Sequence, residues 1–490
     1  MRQNKMYIVQ KTNEGSNLQK KCGGKFTQIV AACTANLASV AFSMALTWPT
    51  PSLPILKSED SPIGVITAEQ ESWLTALAFV GAVIASPIFS YISQQYGRKI
   101  AGYILAIPFI IGWLLKIISE SIILFYIGRF ALGLSCGAVV TVCPMYISEI
   151  SEDSIRGTLG AFRSTIVCLA GLFVCAVGTI ISIQAMATIC IAVPFLFVLC
   201  FFWLPESPMY LMRTGKTKEA MKALIWLRGG NKEVAEEEMS KLNIVIEESK
   251  SNQVGIKDLI SSRGTRRGLI ICIVLAAAQQ LSGITPIMAY FVSLFQSAGG
   301  SVSPNMAIII ANCVQLVGSI ITSVLLDIAG RRILLISSQI FTVISLSTLG
   351  VYFFLQNNGF DVSYIGFLPL TCVSIYVLCV AVGLGSVPYV IMAEIFSPHA
   401  RGIASMITVA TIWIFAFITS KFYPDFVSLL DLHGCYWMFA LICVGCTIFT
   451  IFKIPETKNR SLESILKELN GVKNVDRDNT NKSEVGLEKY

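Results

Sequence analysis

The stretch GLIICIVLAAAQQLSGITPIMAYFVSL, residues 268–294, decides the class of this protein. It is about 27 residues long and almost entirely apolar, which is enough to cross the roughly 30 Å hydrocarbon core of a bilayer with some tilt. Two adjacent amides, Gln279 and Gln280, lie near its centre. Because hydrocarbon offers no hydrogen-bond partner, such side chains face a neighbouring helix or a water-filled cavity. The pair is therefore either a polar contact between helices or a site for a neutral, hydroxyl-rich solute.

Composition extends this interpretation to the whole chain. Of its 490 residues, 54% are hydrophobic and only 14% are charged, and the mean hydropathy of +0.68 lies far from the values of soluble domains. The chain is therefore predicted to be an all-α membrane protein. Twelve apolar segments reach spanning length, at residues 26–48, 73–92, 100–118, 122–146, 160–182, 185–204, 268–295, 305–326, 333–355, 366–392, 403–422 and 434–453.

The distribution of Lys and Arg predicts the orientation. Basic residues concentrate in the N-terminal leader, in residues 205–267, which hold twelve, and after Ile451, where eight lie. Twelve spans put these three segments on one side, which the positive-inside rule identifies as the cytoplasm. The net charge of +7 then reflects orientation and not nucleic-acid binding. We expect a multi-pass protein of the plasma membrane with both termini cytoplasmic.

The fifteen cysteines indicate neither a disulfide framework nor a metal site. Nearly all of them lie within apolar spans, where cysteine is a small packing residue, and no pair has zinc-ligand spacing with His399 or His433. No nucleophile, base and orienting group share a recognisable motif. We expect no cofactor, no metal and no enzymatic activity.

The chain repeats itself at about half its length. Three motifs occur twice, in the same order and at the ends of corresponding spans, which predicts two six-helix halves. The pairs are Gly97-Arg98-Lys99 with Gly330-Arg331-Arg332, Glu149 to Gly157 with Glu394 to Gly402, and Pro205-Glu206-Ser207 with Pro455-Glu456-Thr457.

A polar segment separates the two halves. Apolar residues recur at helical spacing between Thr217 and Leu227. This favours a small cytoplasmic helical bundle over a flexible linker, since a linker would leave the apolar stripe exposed. The predicted organisation is a leader at 1–25, an N-terminal half at 26–204, a helical linker at 205–267, a C-terminal half at 268–453 and a tail at 454–490.

Together these motifs resemble the sugar porter family of the major facilitator superfamily over residues 25–467. A further run, ALIWLRG at 223–229, resembles insect facilitated trehalose transporters. The matching stretches are GRK at 97–99, GRF at 128–130, PMYISEI at 144–150, PESPMYL at 205–211, QQLSGI at 279–284, AGRR at 329–332, AEIFSPHARG at 393–402 and PETKNRSLESI at 455–465.

The resemblance implies a major facilitator fold, with two six-helix bundles that rock about a central sugar site. Carboxamides suit sugar hydroxyls because they both donate and accept, and aromatic rings offer a face to the apolar side of a pyranose. Aromatic residues in spans are also packing residues or interface anchors. Thr285 and Ser164 replace residues that are common in the family, so specificity can differ from that of a glucose carrier. The candidate substrate-binding residues are Gln279, Gln280, Thr285, Gln315, Tyr389 and Trp413.

Charged residues at the cytoplasmic ends of the spans are candidates for a gate. Ion pairs there, across or beside the seam between the halves, would bias the equilibrium between two conformations, because each partly wet pair is worth only about 1 kcal/mol. Simple positive-inside anchoring is the alternative for Arg98, Arg331 and Arg332. Tyr290 is the candidate extracellular gate. The candidate cytoplasmic gate residues are Arg98, Glu149, Arg156, Glu206, Arg331, Arg332, Glu394, Arg401 and Glu456.

The mode of transport is inferred from an absent group. Proton coupling needs a titratable side chain within the membrane, and the first span, residues 26–48, has no Asp, Glu or His. Arg129 in the fourth span is either part of the path or a structural donor to backbone carbonyls. We therefore predict a uniporter of a small neutral sugar, trehalose or a hexose such as glucose, with the bilayer as its environment and no obligate protein partner. A proton-coupled symporter and a sugar sensor with little flux are the alternatives.

Overall fold

The computed structural model describes residues 24–251, 262–299 and 302–470. Within these ranges, eleven helical segments are long and apolar enough to cross a bilayer. The last of them, Ala400–Lys453, has 54 residues and would measure about 81 Å as one straight helix at about 1.5 Å per residue. Its backbone is non-helical at Asp431 (φ 55°, ψ 176°), where two helices meet. The structure thus has eleven segments of spanning length where the sequence predicts twelve, and the last two predicted spans, 403–422 and 434–453, both lie in this interrupted segment.

The helices fall into two groups in chain order. The N-terminal half comprises α1 (Lys25–Thr47), α2 (Pro49–Leu56), α3 (Ala68–Gln95), α4 (Arg98–Ile118), α5 (Ile122–Ile150), α6 (Asp153–Gly178) and α7 (Ile183–Phe201). The connecting helices are α8 (Pro208–Arg213), α9 (Thr217–Leu227) and α10 (Lys232–Ser251). The C-terminal half comprises α11 (Arg263–Leu281), α12 (Ile284–Ala289), α13 (Phe291–Ala298), α14 (Pro304–Ala329), α15 (Arg331–Asn357), a 3₁₀ turn (Ser363–Ile365), α16 (Leu368–Val382), α17 (Val387–Ile395) and α18 (Pro398–Lys453), and α19 (Leu462–Asn470) follows.

Small residues allow close packing within each half. Helix α3 packs on α5, and a Cβ atom on Gly133 of α5 would collide with the carbonyl oxygen of Ala78 on α3. Without a hydrophobic driving force between helices in lipid, such close backbone approach supplies the packing energy. Between the halves, α3 contacts α18 and α6 contacts α14. These contacts define the seam.

The connecting helices form a small bundle with its own apolar core, which includes Leu211, Leu224 and Met239. Arg228 attaches this bundle to the N-terminal half. Its Nε and Nη2 atoms donate to the Glu238 carboxylate at 2.7 and 2.6 Å, and its Nη1 atom donates to the carbonyl oxygen of Ile150 at 3.0 Å. The predicted helical bundle is thereby confirmed. We call the side of the protein where it lies the linker end and the opposite side the far end.

Candidate functional site

Two interrupted spans meet where the sequence places its paired amides. The seventh span breaks at Gly283 (φ 85°), between α11 and α12, and the tenth breaks at residues 383–386, between α16 and α17. Across these breaks, Gln279 Nε2 donates to the carbonyl oxygen of Gly385 at 3.4 Å, and the Tyr376 hydroxyl donates to that of Ser282 at 3.1 Å. Irregular backbone at membrane depth is tolerated where it is buried in protein or lines a cavity. The breaks therefore concentrate polar backbone atoms around Gln279.

The second amide is fixed by its own span. Gln280 is 7% exposed, and its Oε1 atom accepts a hydrogen bond from the Thr285 hydroxyl at 2.6 Å. Thr285 thus orients the carboxamide through a polar contact across the Gly283 break. The Oε1 atom of Gln279, by contrast, is buried without a hydrogen-bond partner. A buried unsatisfied acceptor is costly, so it points to a ligand with a hydroxyl donor.

The other candidate substrate residues occupy different helices. Trp413 of α18 is 6% exposed, its ring stacks on Phe79 of α3 at 6.0 Å and meets the edge of Phe42 of α1 at 6.3 Å, and its Nε1 atom is buried without a partner. Trp413 therefore lies in the seam. Tyr389 of α17 is 37% exposed, and Gln315 of α14 is half-buried. The described contacts do not join Gln315 to the amide pair.

Two polar residues of the seam were missed by the sequence analysis. Asn312 of α14 is 3% exposed and donates to Cys175 Sγ of α6 at 3.4 Å. Arg163 of α6 donates from Nε to the Ser39 hydroxyl of α1 at 3.2 Å, and its Nη2 atom is buried without a partner. Both lie within apolar runs that match no quoted family motif. A charge inside a span is the general sign of a functional residue in a membrane, and Arg163, the fourth residue of the predicted span 160–182, could have been found by this signal.

Arg129, the other charge weighed from sequence, is a structural residue. It is 1% exposed and donates to three backbone carbonyls of its own half, those of Ala45 at 2.6 Å, Leu74 at 2.9 Å and Thr75 at 3.4 Å. Each of its nitrogen atoms thus has a partner. The structure therefore agrees with the second interpretation of Arg129, a structural donor to backbone carbonyls.

The halves are joined by polar contacts toward the far end. The Tyr290 hydroxyl lies 3.3 Å from the Thr75 hydroxyl of α3, and the Tyr290 ring packs against that of Tyr423 with the centroids 5.0 Å apart and the planes tilted by 31°. Lys421 Nζ donates to the Ser72 hydroxyl at 2.8 Å, and the Thr50 hydroxyl donates to the carbonyl oxygen of Met288 at 2.9 Å. In this conformation the seam is bridged at that end, with the candidate gate residue Tyr290 in the bridge.

At the linker end, three residues of the N-terminal half form one network. The Arg98 guanidinium binds both carboxylate oxygens of Glu149, at 2.7 and 2.8 Å, and donates to the carbonyl oxygen of Ser93 at 2.8 Å. The Glu206 carboxylate accepts from the backbone N–H groups of Arg98 and Lys99, both at 3.0 Å. Glu206 therefore caps α4 while Glu149 neutralises the arginine at its first position.

The C-terminal half repeats this network residue for residue. Arg331 Nη2 lies 2.9 Å from Glu394 Oε1, its Nη1 atom donates to the carbonyl oxygen of Leu326 at 2.7 Å, and Glu456 accepts from the N–H groups of Arg331 and Arg332 at 3.0 and 3.1 Å. Among the side chains that the structure describes, the ion pairs at this end join residues of the same half. The sequence left open whether the ion pairs form across the seam or beside it. In this conformation they form beside it.

A glycine precedes each of the two capped helices for a steric reason. Gly97 and Gly330 have positive φ values of 103° and 87°, and a Cβ atom at either would crowd the carboxylate of Glu206 or Glu456. Only glycine adopts this conformation without strain. The repeated Gly-Arg motif is thus the backbone of a carboxylate-capped turn.

The remaining candidate gate residues contact nearby backbone. Arg156 donates to the carbonyl oxygens of Ser148 and Ser151, both at 3.1 Å, and pairs with Asp153. Arg401 Nη2 donates to the carbonyl oxygen of Phe396 at 3.4 Å, and Arg332 Nη2 donates to that of Ile451 at 2.5 Å. These three arginines stabilise helix ends and are not brought together.

The environments of the two capping carboxylates differ although their partners correspond. Burial raises the pKa of Glu206 above its usual value, against the lowering effect of its backbone N–H donors and Arg98. Burial alone would also raise the pKa of Glu456, but hydrogen bonds from the N–H groups of Lys458, Arg331, Arg332 and Thr457 bring it below the usual value. Of the two carboxylates, Glu456 is therefore the more easily ionised one.

Comparison with known proteins gives consistent results. The family described as "Sugar (and other) transporter" matches residues 17–469. A facilitated trehalose transporter, Tret1, from Bombyx mori is 33% identical over 455 residues, which cover 91% of this chain and 87% of the relative. Tret1 from Aedes aegypti is 32% identical over 455 residues, and the chain spans about half of that relative's length, 55%. A partially occluded inward-open structure of the xylose transporter XylE from E. coli has a TM-score of 0.75 at 21% identity, covering 89% of this chain and 99% of that one.

Proposed function

The chain belongs to the Sugar (and other) transporter family, and from this premise we propose that it is a facilitative carrier of a neutral sugar, trehalose or a hexose such as glucose, that works by alternating access. The relatives to which it is similar include facilitated trehalose transporters. Because the chain spans only part of several relatives, the substrate is inferred from the site as well as from similarity.

One observation supports the proposal best. The two interrupted spans bring Gln279 against the backbone of Gly385 and leave the Gln279 Oε1 atom buried without a partner. Interrupted helices of this kind line substrate sites in transporters because their freed backbone groups and side chains can bind a polar solute. A sugar hydroxyl would supply the donor that this acceptor lacks.

The gates follow from the same arrangement. We place the linker end in the cytoplasm, where the basic segments of the chain lie, and the far end outside the plasma membrane. Tyr290, Lys421 and Thr50 then hold the outer side closed. Opening the outer side would require these contacts to break while the linker ends of the two halves approach each other, as rocking bundles do.

We assign the carrier to passive transport. A proton-coupled symporter needs a group that titrates within the membrane and faces each side in turn. The first span offers no Asp, Glu or His for that purpose. Each side-chain nitrogen atom of Arg129 donates a hydrogen bond to a backbone carbonyl oxygen. The proton-coupled alternative is therefore the less economical one.

The decisive experiment is uptake of labelled trehalose, glucose and fructose by cells that express the full chain, with the Gln279→Leu, Gln280→Leu double variant as a matched control. We expect uptake of trehalose or of a hexose that saturates, exceeds that of the double variant and is competed by the unlabelled sugar. If no sugar enters faster through the wild-type protein than through the variant at equal surface expression, the proposed function is wrong.

A further inference from the structure

Two cations of the N-terminal half, the partly buried Arg163 of α6 and the fully buried Lys116 of α4, have a buried nitrogen atom without a hydrogen-bond partner, whereas Arg129 has none. Arg129 is bound by three carbonyl oxygens. Lys116 lies with its Nζ atom 2.9 Å from the centre of the Trp48 ring, sealed among residues of the same half. Arg163 has a single hydrogen bond, from Nε to Ser39, and its buried Nη2 atom has no partner.

The position of Arg163 connects it to the candidate sugar site. Its guanidinium carbon lies 5.7 Å from the centre of the Phe42 ring, and the same ring contacts Trp413 of the opposite half. The Phe42 ring therefore connects Arg163 to Trp413 across the seam.

The charge of Arg163 has no acidic counterpart nearby. None of the ion pairs that the described residues form within 4.0 Å includes Arg163. A guanidinium withdrawn from water is costly unless it is paired and hydrogen-bonded. A planar two-oxygen anion fits this requirement best, because Arg binds carboxylates through two parallel N–H groups.

The seam also holds groups of the opposite character. Trp413 Nε1 is a buried donor without a partner, and Gln279 Oε1 is a buried acceptor without one. Sugar hydroxyls satisfy both kinds of group. The combination of an unpaired cation with donors and acceptors for hydroxyls describes a ligand that is a sugar at one end and an anion at the other.

We propose that Arg163 forms a carboxylate subsite, so that this protein binds a sugar acid, such as a hexuronate, more tightly than the matching neutral hexose. The inference rests on the proposed function and extends its substrate class from neutral sugars to sugar acids. Neutral sugars remain ligands of the same site through the amides. The carboxylate adds a charge-assisted hydrogen bond to Arg163 that a neutral sugar cannot make at full strength.

The test compares D-glucose with D-glucuronate, which differ only at carbon 6. Binding to the purified full chain is measured at pH 7 by thermal stabilisation in detergent, and transport is measured by competition for labelled glucose uptake. We expect glucuronate to bind about tenfold more tightly than glucose, as one charge-assisted hydrogen bond predicts. Arg163→Gln should abolish this preference and retain glucose binding. Arg163→Lys, which keeps the charge but loses the planar fork, should retain part of it.

Two controls make the result specific. Arg213→Gln removes an exposed arginine of α8 and should leave the preference unchanged, and acetate at the same concentration should not stabilise the protein.

Equal or weaker binding of glucuronate by the wild type, or an unchanged preference in Arg163→Gln, would overturn the subsite. If glucose is carried and glucuronate is not preferred, only the subsite is wrong. If neither sugar binds, the subsite is wrong, and the uptake experiment with labelled trehalose decides the proposed function. Should Arg163→Gln fail to fold, the wild-type preference and the lysine variant still decide the matter.

Discussion

Arg98 and Glu149 form a two-pronged ion pair at the linker end, with N–O distances of 2.7 and 2.8 Å, and Arg331 with Glu394 forms its counterpart in the other half at 2.9 Å. The two pairs differ in burial. The Arg98 and Glu149 side chains are 3% and 15% exposed, against 13% and 27% for Arg331 and Glu394. The sequence motif is thus repeated, but the surroundings of its charges are not.

This difference predicts unequal costs for the two acid-to-amide changes. Glu149→Gln leaves the buried Arg98 charge uncompensated and should lower the free energy of unfolding by about 3 kcal/mol, the lower end of the range for a broken buried pair. Glu394→Gln should cost less because water screens the more exposed pair. Thermal unfolding of the purified protein measures both. The exposed Glu219→Gln is the control, and equal melting temperatures for Glu149→Gln and this control would contradict the assignment.

The contact between Lys421 and Ser72 predicts a change in outer accessibility. Lys421→Met removes the hydrogen bond to Ser72 across the seam and the cation–π contact with the Trp73 ring. The closed outer side should therefore become less populated. A cysteine placed at Thr75, in a background without native cysteines, should react faster with an impermeant reagent added outside. Lys57→Met is the matched control, because Lys57 pairs with Glu71 of its own half. Unchanged labelling would show that Lys421 does not hold the gate.

The hydrogen bond between Gln280 and Thr285 predicts the effect of Gln280→Ala. Loss of one hydrogen bond to a desolvated hydroxyl costs about 1 kcal/mol, or about a fivefold loss of affinity. We expect the apparent affinity for sugar to fall by that factor with little loss of surface protein, because removing a buried amide from a membrane helix costs little stability. Thr285→Val, which removes only the orienting donor, should have a smaller effect. Wild-type uptake kinetics in Gln280→Ala would exclude this residue from the site.

The absence of an acid in the first span predicts passive transport. Uptake should stop when internal and external sugar concentrations are equal, and a protonophore should leave the initial rate unchanged. Both quantities are measured with a sugar that the cell cannot metabolise. Accumulation above the external concentration that collapses with the proton gradient would refute uniport.

The two capping carboxylates predict opposite dependences on pH. The folded-state pKa of Glu456 lies below its unfolded-state pKa. Such a carboxylate stabilises the folded state at pH values above the unfolded-state pKa, and this stability is lost as the pH falls through the folded-state pKa. For Glu206 the folded pKa is raised, so its contribution is fully present below the unfolded pKa and is lost as pH rises through the folded pKa. The stability gap between the wild type and Glu456→Gln should thus shrink on acidification below about pH 4.5, whereas the gap for Glu206→Gln should widen as the pH is lowered from neutrality. Parallel pH profiles in thermal unfolding would contradict this.

The paired amides show how far sequence reasoning could locate the site. Gln279 and Gln280 are conspicuous in the sequence because two carboxamides interrupt an apolar run. Their partners could not be predicted, because Gly385 lies 106 residues away along the chain and contacts Gln279 only when two spans break at the same depth. The partner of Arg163 could not be predicted for the same reason, since Ser39 lies 124 residues away along the chain.

The sequence by itself determined the class and the repeated Gly-Arg and Glu motifs, since hydropathy over a span and the spacing of Gly, Arg and Glu are local properties that need no knowledge of packing. Only the tertiary structure decided which charges pair, that Arg98 and Arg331 each bind an acid of their own half, and which polar atoms stay unpartnered in the seam. Those outcomes depend on how each helix is rotated and where it is interrupted, and the rotation is set by contacts with neighbouring helices.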